Sequence, residues 1–267
     1  MIKIFRKIRY NLIEKNKTSP NDSVGRAGRY LKYAIGEIIL VVIGILIALS
    51  VNNWNELQKL NEREISVAKE LYIELNENLT SVKNQLELWE TRDNKISEVI
   101  TLIETENITI NNREFDSILI YVIGLSNFKL KQSKFQRIIS LENFEFKKSP
   151  LLINDMLSLN DMYTTLMQYY YQNDESYHQL LLPYLIENYS MENFNNIITG
   201  KKTESKVDFN ELLSDLKFAN LIHSAEGNSK PFVQRIKIAI KQMETLKNQL
   251  KTIYPSINDI DNSEYEQ

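Results

Sequence analysis

One stretch of this chain, Tyr33 to Val51, is nineteen residues long and carries a single charge, Glu37, among Ile, Leu, Val, Ala and Gly. As a helix rising about 1.5 Å per residue it reaches roughly 28 Å, close to the roughly 30 Å hydrocarbon core of a bilayer. A buried core helix of that length would show a polar face, and this one has none. Tyr30 and Tyr33 stand at one end and Trp54 at the other, where amphipathic rings sit at the headgroup level. Asn52, Asn53 and Asn55 end the apolar run abruptly. The sequence therefore predicts one transmembrane helix over 33–51. A cleaved signal peptide is the rival, with Ala48-Leu49-Ser50 as a cleavage site. More than thirty residues precede the site, however, and the helical pattern continues past Asn55, so an uncleaved signal anchor is expected.

Charge gives the expected orientation. Residues 1–32 hold nine Lys and Arg against Glu14 and Asp22, a net +7, while the whole chain is −3, leaving −10 for the remainder. Basic flanks stay in the cytoplasm, which puts the N-terminus inside and the acidic bulk outside, in the periplasm of a bacterium with two membranes. Met1, Phe5, Ile8 and Leu12 share one helical stripe, with Lys3, Arg6, Lys7 and Arg9 beside it. That pattern suits an amphipathic helix lying on anionic inner-leaflet lipid, and it explains the basic cluster without nucleic acid. Asn16 to Gly28, with Pro20, Gly25 and Gly28, reads as a flexible connector.

An Ile/Lys/Arg/Phe-rich N-terminus is followed by Tyr30-Leu31-Lys32-Tyr33-Ala34-Ile35-Gly36-Glu37-Ile38-Ile39, the apolar run to Leu49, and Asn52-Asn53-Trp54-Asn55-Glu56. This order resembles a family of uncharacterised single-span membrane proteins of Bacteroidetes bacteria, a domain-of-unknown-function family. The likeness covers roughly residues 1–60. It implies a topology and a bacterial source, and it transfers no catalytic residue.

Beyond the span the expected fold is all-α, a long stalk helix running into an extracytoplasmic bundle of four or five helices, two of them long. From Ala68 the apolar positions Leu71, Leu75, Leu79, Val82, Leu86, Trp89, Ile96, Ile100 and Ile103 recur at spacings of three and four, with Asp93 in one slot. Neither Pro nor Gly occurs between Gly44 and Gly124, so the anchor can continue into this helix, with Asn61 and Asn76 to Asn78 its weakest places. Asn111 and Glu114 form a capping pair for a helix ending at Gly124. Phe135, Ile138, Ile139, Phe144 and Phe146 lie in a mixed segment. Leu152, Met156, Leu159, Tyr163, Leu166 and Tyr170 stripe a long helix opened by Ser149-Pro150, continued by Tyr177 and Leu181, and kinked or ended at Pro183. Asp208 to Ile222, capped by Asp208 and Glu211, and Pro231 to Ile253, with Pro231 in its first turn, read as two further helices. The expected divisions are 1–32 (basic segment and connector), 33–51 (span), 52–106 (stalk or long bundle helix), 107–254 (bundle) and 255–267 (loose polar tail). Ile108-Thr109-Ile110 could pair as a strand.

Catalytic signatures are missing from the sequence. There is no cysteine, and the two histidines, His178 and His223, stand far apart. Asp259 to Glu264 has calcium-like oxygen spacing but lacks the turn glycine and the distant glutamate. Glycine-rich phosphate loops and nucleophile elbows are absent, so no metal and no cofactor is expected. Tyr163, Tyr169, Tyr170, Tyr171, Tyr177, Tyr184 and Tyr189 carry the spacing of core packing rather than of a binding box. Gly36, Gly44 and Ala48 lie on one face of the span, where two backbones can approach, and Glu37 sits about one turn inside the cytoplasmic boundary. The leading expectation is a membrane-anchored interaction, sensing or scaffold module without enzymatic activity, working with a protein partner or a second copy. The alternative is a stator-like or channel-associated subunit using the Glu37 carboxylate. An enzyme with an unfamiliar helical site ranks third.

Overall fold

In the computed structural model the described residues are 23–105, 110–140, 146–200, 209–258 and 260, and among them there is no strand. The fold is all-α. The expected basic helix with Lys3, Arg6, Lys7 and Arg9, the Ile108-Thr109 pair, Phe144, Asp208 and most of the 259–264 segment lie outside them. The chain divides into two units, one ending at Glu62 and the other beginning at Arg63.

In the first unit the backbone is helical from Ser23, so the last six residues of the expected connector, Gly25 and Gly28 included, belong to helix α1 (Ser23–Glu104). Nothing in 23–32 breaks the helical hydrogen bonding, because glycine lowers helix propensity by only about 1 kcal/mol per residue. Apolar side chains from Ile35 to Val51 are exposed, and the mean hydropathy of the best window is 2.8 with none of it buried. Among the described residues this one helix is long and apolar enough to cross a membrane. Ser50 Oγ donates to the Leu46 carbonyl at 2.8 Å, which satisfies its hydroxyl within the helix.

In the second unit α1 is a core helix rather than a free stalk. Val67, Ala68, Leu71, Tyr72, Leu75, Leu79, Val82 and Trp89 are buried, and so are Ile96, Val99 and Ile100. Asn76 to Asn78 do not weaken it. Asn78 is 2% exposed and pairs with the backbone of Lys131 twice, its Nδ2 donating to the carbonyl at 2.7 Å and its Oδ1 accepting the N–H at 2.9 Å. A polar side chain inside a helix here satisfies irregular backbone that has no helix of its own.

After α2 (Asn112–Ile123) the chain returns along α1, as its partners show in descending order. Ser126 bonds Gln85, Lys131 bonds Asn78, Lys134 bonds Glu74, Arg137 pairs with Glu70, and Lys148 bonds Glu64. Among its described residues the mixed segment thus contains one short helix, α3 (Ser133–Ser140), which buries Phe135 and Ile138. Helix α4 (Leu152–Ser176) reverses direction and buries the whole expected stripe from Leu152 to Tyr170. Pro183 does not end it. A π-helical turn over Tyr177–Leu181 widens the backbone, with Leu182 N–H reaching the Tyr177 carbonyl, and α5 (Leu182–Asn188) continues from there. Widening one turn makes room for a ring that would otherwise strike a carbonyl one turn earlier. Helix α6 (Met191–Thr199) ends on Gly200, whose φ of +69° is the left-handed cap that glycine supplies.

The two C-terminal helices expected at 208–222 and 231–253 are divided elsewhere. A single turn, α7 (Phe209–Leu213), is followed by Asp215, whose carboxylate accepts the Lys217 N–H at 2.7 Å and caps one 38-residue helix, α8 (Leu216–Ile253). Pro231 lies inside it, at an intrinsic cost of about 3 kcal/mol. Burial outweighs that cost. Phe218, Ile222, Ala225, Ser229, Phe232 and Ile236 keep the three-four spacing straight through the proline, and all are buried. Removing Phe232 and Ile236 from water alone is worth about 2 kcal/mol each. Among the described residues there are therefore three long helices, α1, α4 and α8, rather than two. The last runs back along α1, with Glu226, Lys237, Glu244 and Lys247 meeting Ser97, Glu90, Lys83 and Asn76.

The tail is not loose where it is described. Tyr254 and Ile257 are buried, the latter in a 3-10 turn at Pro255–Ile257, and Tyr254 Oη donates to Glu64 at 2.5 Å.

Candidate functional site

The second unit holds two separate apolar clusters. One gathers Leu71, Trp89, Phe135, Met156, Tyr163 and Phe232 with their neighbours, and the other gathers Ile96, Phe115, Leu119, Leu185, Phe209 and Phe218 with theirs. Between them each long helix turns polar at one level: Arg92 and Asp93 on α1, Asn173 on α4, and Asn228 and Ser229 on α8. Arg92 is 4% exposed, Asn173 2% and Ser229 0%.

The guanidinium of Arg92 is held from two sides. Its Nε donates to the Val122 carbonyl at 3.1 Å, in the last turn of α2, and its Cζ lies 5.2 Å from the Trp89 ring centre. Burial pushes Arg92 down to about 10, opposed by the charge of Asp93, so it stays protonated at neutral pH. Burial also raises Asp93, while Ser229 and Lys230 pull it back. Asn173 Nδ2 donates to the carbonyls of Tyr169 at 2.9 Å and Asn228 at 3.0 Å, and Gln172 reaches Asn228 Oδ1 at 3.1 Å. These bonds tie α4 to α8 just before Pro231. The π-helical turn begins four residues after Asn173, so both neighbours of α1 carry a helix irregularity beside this seam. Trp89 closes one side, edge-on to Phe232 with ring centres 4.6 Å apart.

Arg92, Asn173, Ser176, Tyr177 and Asn228 line an enclosed crevice with a free volume of about 10 Å³. Among the described residues, Arg92 Nη1 and Asn173 Oδ1 find no hydrogen-bond partner, and neither do Trp89 Nε1, Asp93 Oδ1 and Ser229 Oγ beside them. Sequence reasoning did not find this seam, although its signal was present. Asp93, Asn173 and Ser229 each occupy a three-four stripe position, and only Asp93 stood out.

The other buried carboxylates have structural partners. Glu74 accepts Lys134 N–H and Phe135 N–H at 2.9 Å each and caps α3 from a different helix. Glu64 ties Tyr254 to Lys148 N–H, and Asp116 accepts from Tyr189 and Asn193. Tyr163, Tyr170, Tyr184 and Tyr189 are buried in the two clusters, while Tyr171 is exposed. His178 is an exposed side chain 3.5 Å from Asp174 on its own helix, and His223 is exposed. Among the described residues no group of three His, Cys, Asp or Glu could hold a metal ion.

On the span, Glu37, Gly44 and Ala48 are exposed, as are Tyr33 and Trp54, and a Cβ added at Gly36 or Gly44 would meet no atom within 4 Å. Tyr30 lies in α1, and its side chain is outside the described set. Comparison with protein-family models, curated proteins and solved structures finds no match.

Proposed function

We propose that this is a single-span protein of a bacterial inner membrane, N-terminus in the cytoplasm, that presents a helical bundle in the periplasm to hold or sense a protein partner. One observation carries the reading. Helix α1 exposes an apolar surface from Ile35 to Val51 interrupted by a single charge, Glu37, and beyond Arg63 the same helix is built into a packed core. An exposed apolar surface of that length is stable only against lipid or another protein. The net +7 ahead of the span supports the orientation, and Lys3, Arg6, Lys7 and Arg9 suit contact with anionic inner-leaflet lipid. Capping and cross-linking roles for Glu64, Glu74 and Asp116 favour an interaction module over acid–base catalysis.

Topology is tested by fusing a reporter enzyme active only outside the cytoplasm after Gln267 or before Tyr30. Activity of the first fusion and silence of the second is expected, and the reverse overturns the compartment. Chemical cross-linking in intact cells, followed by mass spectrometry, is expected to join the bundle to one reproducible membrane or periplasmic protein. Recovery of lipid and nothing else removes the partner role.

A second reading rests on Glu37, exposed within an otherwise apolar stretch. A stator-like or channel-associated subunit would use that carboxylate. Glu37→Gln that inserts normally, keeps its cross-links and shows no ion-dependent phenotype leaves Glu37 a passive interfacial group.

A further inference from the structure

The seam around Arg92 contains several buried polar atoms that no described protein group uses, and one donor and one acceptor among them share a crevice. Arg92 Nη1 and Asn173 Oδ1 are both buried without a partner, and both residues line the same enclosed crevice. Dry unmade hydrogen bonds of this kind are costly, most of all for a charged donor, and native interiors rarely leave them so.

We infer that the crevice is a binding site for a single water molecule, which accepts a hydrogen bond from Arg92 Nη1 and donates one to Asn173 Oδ1. The chemistry of the lining selects this occupant. The two bonds from Asn173 Nδ2 to the carbonyls of Tyr169 and Asn228 use the donor end of the amide and leave its buried oxygen as a free acceptor. A halide or carboxylate would suit the guanidinium but meet that oxygen lone pair to lone pair. A metal cation would suit the oxygen and be repelled by the guanidinium. Only a neutral group with both a donor and an acceptor satisfies the two ends together. The free volume of about 10 Å³ is on the scale of a single water. Ser176 and Asn228 on the same lining supply polar neighbours for the further bonds a buried water makes.

This site goes beyond the interaction-module reading and does not rest on it, since every residue involved lies after Arg63. It makes the junction between the two apolar clusters a hydrated layer. Asn173 already ties α4 to α8 directly through Asn228, and the water adds a link from Arg92 on α1 to Asn173 on α4 through an exchangeable molecule.

The test uses the full-length chain in detergent. A crystal structure resolving ordered solvent is expected to show one peak within roughly 2.7–3.2 Å of both atoms. An empty crevice overturns the proposal. So does an anomalous peak there after a bromide soak, which would make the occupant an anion. In parallel, Arg92→Met and Asn173→Leu are combined in a double-mutant cycle read by urea unfolding. A bridging water makes the two losses non-additive by about threefold or more in the unfolding constant. Additive losses overturn the bridge. Should Asn173→Leu fail to fold, Asn173→Ser completes the same cycle.

Discussion

Glu74 offers the sharpest test of how this bundle is held together. It is 3% exposed on α1, yet its carboxylate works as the cap of α3, accepting Phe135 N–H and Lys134 N–H at 2.9 Å each and Ser133 Oγ at 3.3 Å. An eight-residue helix has few internal hydrogen bonds, and its first N–H groups have no partner of their own. In Glu74→Ala, Lys134 N–H and Ser133 can turn to water, but the Phe135 amide stays dry beside a side chain that is 1% exposed. An orphaned dry donor costs about 1–3 kcal/mol, and loss of a cap about 1 kcal/mol more. Retained desolvation of the carboxylate in the wild type offsets part of this. The expected loss is therefore about 3 kcal/mol, with Glu74→Gln losing roughly half because one acceptor oxygen remains.

Urea unfolding of the full chain in detergent measures the total. Amide exchange locates it, since Phe135 and its neighbours in α3 should lose protection before α4 or α8. Refutation would be a Glu74→Ala protein within about 0.5 kcal/mol of wild type, the range of inert surface changes. An unchanged exchange rate at Phe135 would be equally damaging.

Trp89→Ala should cost about 3–5 kcal/mol in the same unfolding assay, because a 1% exposed ring packed on Phe232 and Tyr170 leaves a cavity at the edge of the seam. A loss under about 1 kcal/mol would mean the site collapses freely. Burial raises the Asp116 carboxyl above its ordinary range, opposed by bonds from Tyr189 and Asn193, so the folded state holds this proton to higher pH than the unfolded state does. Its contribution to stability therefore falls as pH climbs from about 4 through the raised folded value, and stays reduced above it. Asp116→Asn keeps an acceptor for Tyr189 and lacks this titration, so its stability relative to wild type should improve from acid to neutral pH; a flat difference contradicts the assignment. Gly44→Ile with Ala48→Ile should weaken cross-linked dimers if the exposed face of the span is a helix contact, and an undiminished dimer yield rules that face out.

Local chemistry was legible where one segment decides its own structure. Asn111 and Glu114 form the reciprocal capping pair their spacing implies. Gly124 ends α2, although with φ of −73° its value lies in closeness rather than handedness, since a Cβ there would come within 3.1 Å of the Ile120 carbonyl. Where packing competes with propensity, sequence reasoning went wrong. Gly227, Asn228 and Pro231 resemble a loop followed by a helix start, yet the stripe Ile222, Ala225, Ser229, Phe232, Ile236 runs through them unbroken, and its burial overrides the breakers. Conversely, no breaker separates Phe209 from Ile222, but Asp215 caps a new helix there while its carboxylate also accepts from Tyr184 Oη on α5. That second bond is tertiary and leaves no trace in the local pattern.

The buried seam was hidden for a related reason. A polar residue in a single apolar stripe is ambiguous, because one helix can turn it to solvent or leave it at a boundary. Asp93, Asn173 and Ser229 become a layer only once α1, α4 and α8 are placed in register, and that register depends on contacts between segments distant in the chain, such as Lys237 with Glu90 and Asn173 with Asn228. Arg92 was harder still, since it lies outside the stripe and is buried because α2 folds over it and offers the Val122 carbonyl. The irregularities beside it then have a common cause. A layer that must hold a charged guanidinium cannot be filled by interdigitating aliphatic side chains alone, so the flanking helices meet there through amide and hydroxyl groups. The π-helical turn and the proline lie close to this layer, where Asn173 bonds the carbonyls of Tyr169 on its own helix and Asn228 on α8.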